Sequence, residues 1–268
     1  MDAYWRKWLP EFVDVWRIAK SRIERALNGG WGEMLTKTDV AELTAMHILM
    51  KPVFETLFGD DAFVGRENIV KYLEALRLEC RRHGLITDDS YWMTEFYDSI
   101  PERLKEPAGS GVPEDDGGAA KQIYLNELYE GFAKMRSKKD SERLGIVTTP
   151  LPVVDFMLRS ADDVQRKNFG MGLTDIGVPI LDPCGGTGLY LARLLQSELL
   201  RDEDIEWKYE HELYMIEIVP IAYYIATVNI EETYRERVGK GKRVDAFRGI
   251  VLGDTFKMYA PPGQRRLL

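Results

Sequence analysis

The chain has 268 residues, 45% of them hydrophobic and 30% charged, with a formal net charge of −8; this supports globular domains with real cores and excludes a disordered tail or a stapled mini-protein. The charge is −6 over residues 1–142 and −2 over 143–268, so neither half has the basic balance of a self-sufficient nucleic-acid grip. Cys80 and Cys184 are far apart and His47, His83 and His211 are scattered, which argues against a zinc site or disulfide framework and fits a reducing cytoplasm. The start Met1-Asp-Ala-Tyr-Trp-Arg-Lys-Trp8 lacks the apolar run of a signal peptide, and no stretch approaches the roughly 20 apolar residues of a membrane span.

Tyr4, Trp5, Trp8, Phe12, Trp16, Ala19, Ile23 and Ala26 fall at helical spacing, and Gly29-Gly30 supplies a left-handed stop. The aromatic stripe of this amphipathic helix reads as packing surface rather than a base-stacking platform. A second helix is expected from Thr38-Asp39, where Asp39 and Glu42 have capping-box spacing, through Met46, Leu49 and Met50 until Pro52 kinks or ends it. Phe54, Leu57 and Phe58 continue its apolar face. A third fits 67–83, with Ile69, Tyr72, Leu73, Leu76 and Cys80 inward, Gly84 as terminator and His83 complementing the helix dipole. Residues 92–97 suggest a short helical turn. Residues 106–118 have turn-forming composition and read as a mobile loop, after which 119–136 return to helix. Residues 1–140 are thus expected to be all-helical and without chemistry.

The pattern changes after Leu144. Val178-Pro-Ile-Leu181, Leu213-Tyr-Met-Ile216 and Gly249-Ile-Val-Leu252 are too short for helices and suit buried parallel strands. Helical stretches at 190–200 and 220–236 separate them, the alternation of a doubly wound α/β sheet.

The three strand ends carry the candidate chemistry. The first runs into Asp182-Pro183-Cys184-Gly185-Gly186-Thr187-Gly188 directly before a helix, where glycines let backbone approach a ligand. Asp182 would repel a pyrophosphate but accept hydrogen bonds from an ammonium group, and Leu191 stands where a dinucleotide fingerprint wants a third glycine. A ligand with an amino-acid moiety, S-adenosylmethionine, therefore fits better than NAD. The second strand ends in Glu217-Ile218, an acid placed for ribose hydroxyls and an apolar neighbour placed for an adenine face. The third ends in Asp254-Thr-Phe256, an acceptor for the adenine amine and a ring to close over it. Each element alone has a bland alternative, a tight turn or a solvated strand end; the ordered set is the stronger signal.

The segments Glu142-Arg-Leu-Gly-Ile-Val-Thr-Thr-Pro-Leu-Pro-Val-Val-Asp-Phe-Met-Leu158, Ile180-Leu-Asp-Pro-Cys-Gly-Gly-Thr-Gly188, Glu217-Ile-Val-Pro-Ile-Ala-Tyr-Tyr-Ile-Ala226 and Leu252-Gly-Asp-Thr-Phe256 resemble the amino-methyltransferase part of Type ISP restriction-modification enzymes. The stretch from Tyr4-Trp-Arg-Lys-Trp8 through Lys51-Pro-Val-Phe-Glu-Thr-Leu-Phe58 is similar to their helical coupler. The resemblance implies a coupler domain over 1–141 and, over 142–268, the N-terminal part of a Rossmann-like S-adenosylmethionine-dependent adenine-N6 DNA methyltransferase. It implies that Thr149 and Pro150 contact the methionine end of the cofactor, that Asp182, Pro183, Gly185, Gly186, Thr187 and Gly188 form the glycine-rich loop, and that Glu217 with Ile218 and Asp254 with Phe256 hold ribose and adenine. Where family members often carry an aromatic residue after Asp-Pro, this chain has Cys184. A helix N-terminus lowers a thiol pKa, but Asp182 opposes that and no histidine partner is evident, so Cys184 is not read as a nucleophile.

Adenine-N6 methylation calls for an Asn/Asp-Pro-Pro-Tyr/Phe loop that bonds the target amine and stacks on the flipped base. The one Pro-Pro here, Ala260-Pro-Pro-Gly263, has neither group. The catalytic loop, remaining strands and target-recognition domain are therefore expected outside this sequence; the resemblance further implies an upstream helicase-like translocase and a nuclease. No catalytic residue is assigned, and the chain alone is expected to be inactive. DNA is a partner only in the whole enzyme; Arg235, Arg237, Lys240, Lys242 and Arg243 read as a solvated basic loop more readily than as phosphate contacts. The rival reading is a truncated or degenerate non-catalytic interaction module; a nicotinamide-dependent oxidoreductase is disfavoured by Leu191.

Overall fold

A computed structural model describes residues 6–8, 10, 13, 14, 16, 17, 37–59, 69–84, 93–105, 117–136, 148–239 and 244–258. The protein is mostly helical, with a small three-stranded parallel sheet after the helices, and is α/β overall. It divides into two compact units, one drawn from within 1–106 and 127–147, the other from within 107–126 and 148–267.

In the first unit, the described residues among 6–17 are helical, with Trp8, Val13 and Trp16 buried. Trp8 lies 5.9 Å from Phe96 and Trp16 meets Phe132 edge-on at 5.0 Å, so the described aromatics of the stripe pack. The rest of the expected first helix, its Gly29-Gly30 stop and the loop at 106–116 lie outside the described residues. Helix α1 spans Lys37–Phe58 with Pro52 inside it, so of the expected kink or stop the stop does not occur. An interior proline costs about 3 kcal/mol. Burial of Val53, Phe54 and Leu57 just beyond it, at about 1.5–3 kcal/mol for each large side chain, outweighs that loss. Helix α2, Ile69–Arg82, turns Tyr72 outward at 69% exposure rather than inward as its spacing suggested. Helix α3, Thr94–Lys105, is longer than the turn expected at 92–97, and the Tyr97 hydroxyl donates to the Leu49 carbonyl at 3.2 Å.

Helix α1 also carries a buried histidine. His47 meets Glu74 Oε2 at 2.9 Å, and Arg77 grips the same carboxylate through Nε at 2.9 Å and Nη2 at 2.7 Å. Burial lowers the His47 pKa. Burial alone would raise that of Glu74, but the bonds from His47 and Arg77 hold it well below the ordinary carboxylate range.

Helix α4, Gly117–Arg136, is divided between the units, its residues up to Asn126 counting with the second. Helix α5, Leu151–Phe169, follows Pro150 and stops at Gly170, which takes the left-handed conformation at φ 73°. Strand β1 is Ile180–Asp182, α6 is Leu189–Gln196, α7 is Ile205–His211, β2 is Leu213–Glu217, α8 is Pro220–Val238, β3 is Ile250–Leu252, and a short turn of helix, α9, spans Thr255–Met258. The strands lie in the order β1-β2-β3, with Leu181 opposite Tyr214 and Ile216 opposite Val251. Gly249 enters β3 so close to β2 that a Cβ there would sit 1.9 Å from the Leu213 carbonyl oxygen.

The core of the second unit joins Leu213, Met215 and Ile250 to Leu191, Ala226 and Ile230 of α6 and α8. The other sheet face carries Leu181, Tyr214 and Val251, all more than two-fifths exposed. Near the amino ends of the strands, Lys208, fully buried, donates to the Val178 carbonyl at 2.8 Å and pairs with Glu212 at 2.7 Å. Glu212 also accepts the Gly177 amide and the Trp207 indole N–H. Among the described residues, no helix is long and apolar enough to cross a membrane.

Candidate cofactor-binding site

The site lies at the carboxyl ends of the three strands, the usual ligand edge of a parallel sheet. Hydrogen bonds tie the ends together. The Gly185 amide donates to the Ile216 carbonyl at 3.0 Å, the Gly253 amide to the Glu217 carbonyl at 2.9 Å, and the Thr255 hydroxyl to the Pro183 carbonyl. Residues drawn from three separated stretches of sequence thus share one edge.

Glu217, only 7% exposed, is the hub. Its Oε2 accepts the Gly186 amide at 2.7 Å and its Oε1 the Val219 amide at 2.6 Å. Asp182 accepts the Cys184 amide on Oδ1 at 3.1 Å, while its Oδ2 is buried with no hydrogen-bond partner. Burial raises the pKa of Asp182 against the opposing Cys184 bond. It raises that of Glu217 too, with the Asp182 charge adding to the effect and the backbone amides opposing it. Cys184, exposed in the loop beside Pro183, has its thiol pushed up by its partial burial and by both carboxylates, which makes it a poor nucleophile.

Four of the loop's amides are already used. Those of Cys184, Gly185, Gly186 and Gly188 donate to Asp182, Ile216, Glu217 and Gly185 respectively. Such a loop is no anion nest, and two carboxylates beside it would repel a phosphate. Gly186 and Gly188 take positive φ, 56° and 78°, and a Cβ on Gly188 would press against Ile230 at 3.0 Å. Gly185 lets the end of Met215 pack against the loop, where a Cβ would lie 2.0 Å from that methyl and push it aside.

The remaining candidates are placed as follows. Thr149 is half-buried and Pro150 exposed, at the N-terminus of α5; that helix is fixed to α6 by Asp155, which accepts from Arg193 at 2.7 and 3.1 Å. Ile218 is 48% and Phe256 90% exposed at neighbouring strand ends. Asp254 accepts the Phe256 amide at 3.0 Å, closing the turn into α9. Thr187 points inward at 4% exposure, its hydroxyl donating to Asn126 and its carbonyl accepting from Asn229. Neither partner was among the candidates; they are more than forty residues away in sequence, on helices that carry several other polar residues, so nothing local singled them out. Arg237 binds Asp202 and the Leu195, Ser197 and Leu200 carbonyls, closing the end of α6. Lys240, Lys242 and Arg243 lie outside the described residues.

Residues 24–108 match the coupler domain of Type ISP restriction-modification enzymes, which makes the chain part of a restriction-modification enzyme. It belongs to the Type ISP family. Among solved structures it is similar to a DrdV–DNA complex, with 30% identity and TM-score 0.68 over 96% of this chain and 25% of that one. It is similar to the ATP-dependent Type ISP enzyme LlaBIII bound to DNA, with 30% identity and TM-score 0.64 over 92% of this chain and 18% of that one. A nuclease-deletion mutant of the Type ISP enzyme LlaGI with a DNA substrate mimic matches at 31% identity and TM-score 0.59, over 93% and 19%. The chain therefore spans a quarter or less of the structures it matches. No curated protein matches it.

Proposed function

We propose that this chain supplies the coupler, over 1–141, and the S-adenosylmethionine-binding part of a Rossmann-like adenine-N6 DNA methyltransferase, over 142–268, in a Type ISP enzyme. The observation that carries this reading is the buried, unpartnered Oδ2 of Asp182 beside Glu217. Two carboxylates whose burial disfavours their charge, next to a loop whose amides are spent, are suited to a cationic hydrogen-bond donor. The α-ammonium of S-adenosylmethionine is such a group; a dinucleotide pyrophosphate is the opposite.

In this reading Asp182, Pro183 and the loop from Gly185 to Gly188, with Thr149 and Pro150, hold the methionine end. Each Glu217 oxygen has a second lone pair beyond the backbone amide it accepts, and these serve the ribose hydroxyls. Ile218 and Phe256 present apolar surface to adenine, and Asp254 takes its amine. The cofactor's sulfonium supplies the methyl group. This chain's residues fix the cofactor's position, which is where much of the rate advantage of an enforced geometry originates.

The 268 residues contain no Asn/Asp-Pro-Pro-Tyr/Phe loop. Binding without methyl transfer is expected of the chain by itself, with the catalytic loop, target recognition, DNA contact, translocase and nuclease contributed by further polypeptide. Calorimetric titration with S-adenosylhomocysteine and with NAD tests the reading. Binding of the first alone supports it; binding of NAD, or of neither, contradicts it.

A further inference from the structure

The glycine-rich loop is held from beneath by a chain of buried side-chain amides. Gln122 Nε2 donates to Asn229 Oδ1 at 2.7 Å, and Asn229 Nδ2 returns a bond to Gln122 Oε1 at 2.8 Å. The same Asn229 nitrogen donates to the Thr187 carbonyl at 3.0 Å, and the Thr187 hydroxyl donates to Asn126 Oδ1. Gln122 Nε2 also reaches Thr233 Oγ1 at 3.4 Å. All five side chains are buried, Asn229 completely. The Asn229 amide therefore spends its oxygen and both hydrogens, and one of those bonds lands on the backbone of the loop.

Polar groups in a core are costly unless fully paired, and a paired network specifies one arrangement where apolar side chains would tolerate several. This network specifies the loop. Glu217 fixes Gly186 from the strand side, while Asn229 and Asn126 fix Thr187 from the helix side. The two clamps thus hold adjacent residues, Gly186 with its positive φ and open surroundings, and the inward-turned Thr187. We infer that Gln122, Asn126 and Asn229 are positioning residues that hold the loop in its cofactor-accepting shape. They act through Thr187, whose side chain and carbonyl serve this network while its backbone remains part of the loop. Two of the three come from α4, a helix that precedes the α/β part of the chain and was expected to carry no chemistry. The inference rests on the proposed cofactor reading for its functional half, and on the hydrogen-bond geometry alone for its structural half.

The test compares the 268-residue chain with Gln122→Leu, Asn126→Leu, Thr187→Val and Thr187→Ser, each first confirmed as folded by circular dichroism. Two readouts are taken: amide hydrogen exchange at residues 185–188 without ligand, and affinity for S-adenosylhomocysteine. Gln122→Leu, Asn126→Leu and Thr187→Val are expected to accelerate exchange in the loop and weaken binding by about tenfold each. Thr187→Ser, which keeps the hydroxyl, is expected to retain both. Asn126→Leu combined with Thr187→Val is expected to be no worse than either alone, because both remove the same bond. Unchanged loop exchange in folded Gln122→Leu and Asn126→Leu overturns the inference. Altered exchange with unaltered affinity overturns its functional half. If the unmodified chain binds no S-adenosylhomocysteine while the variants still loosen the loop, the positioning geometry stands and the cofactor reading is what fails.

Discussion

Glu217, at the end of β2, accepts the backbone amide of Gly186, in the loop after β1, at 2.7 Å. An acid expected to serve a ligand is thus also the brace that shapes the loop next to it. Glu217→Ala leaves the part-buried Gly186 and Val219 amides without this acceptor; full burial of an unsatisfied donor costs about 1–3 kcal/mol, which is the upper bound for each. Thermal unfolding is expected to show a lower midpoint for this variant, even without ligand.

Asp182 behaves in the opposite sense. Its folded pKa is raised, so its contribution favours the folded state below the ordinary carboxylate pKa and is lost as pH rises through the folded value. Asp182→Asn is therefore expected to stabilise the ligand-free chain at neutral pH, with the difference shrinking as pH falls through the raised folded value and gone below about 4. Denaturant midpoints measured across that range check the trend. A stabilised variant with impaired binding is the signature of a site built for a ligand rather than for stability.

The first unit has its own titration. His47 is buried with a lowered pKa, so its contribution is complete above its unfolded value near 6.5 and is lost as pH falls toward the folded value. Glu74, also lowered, follows the same direction at lower pH. Acidification is expected to destabilise the unit from below about pH 6.5, and His47→Gln is expected to remove that first phase. Helical circular dichroism against pH, at fixed denaturant, follows it.

Lys208 and Glu212 form a buried pair near the amino ends of the strands, away from the site. Removing one partner strands the other: Lys208→Ala is expected to cost about 3–5 kcal/mol. Lys208→Met with Glu212→Gln is expected to cost less than Lys208→Ala alone. Denaturant unfolding of both variants distinguishes pairing from mere burial.

Local sequence pattern foretold the elements where one physical signal dominated. Short apolar runs marked β1, β2 and β3, and helical spacing marked α8 and the helix that ends at Arg136. It failed where tertiary packing overrode local preference. Pro52 sits inside α1 because the residues beyond it are buried, and Tyr72 faces out although its spacing matched Leu73 and Cys80. Helix α7 was missed because its seven residues are mostly polar. Helix α5 was missed because it begins at a Leu-Pro pair read only as a motif.

At the site, the strand-end acids were legible because their value depends on position along a strand. The inward turn of Thr187 was not, since it depends on Asn126 and Asn229, which only the fold brings close. The division of α4 between two units was hidden for the same reason: its periodicity is uniform, while its neighbours change after Asn126.

On the proposed reading, Asp182 and Glu217 form a site for a cofactor with a cationic amino-acid end. Titration calorimetry of S-adenosylmethionine into the unmodified chain and into Asp182→Asn tests it most directly. Binding in the micromolar range by the unmodified chain, weakened about tenfold or more in Asp182→Asn, is expected. No binding by the unmodified chain, or equal affinity in the two, would contradict it.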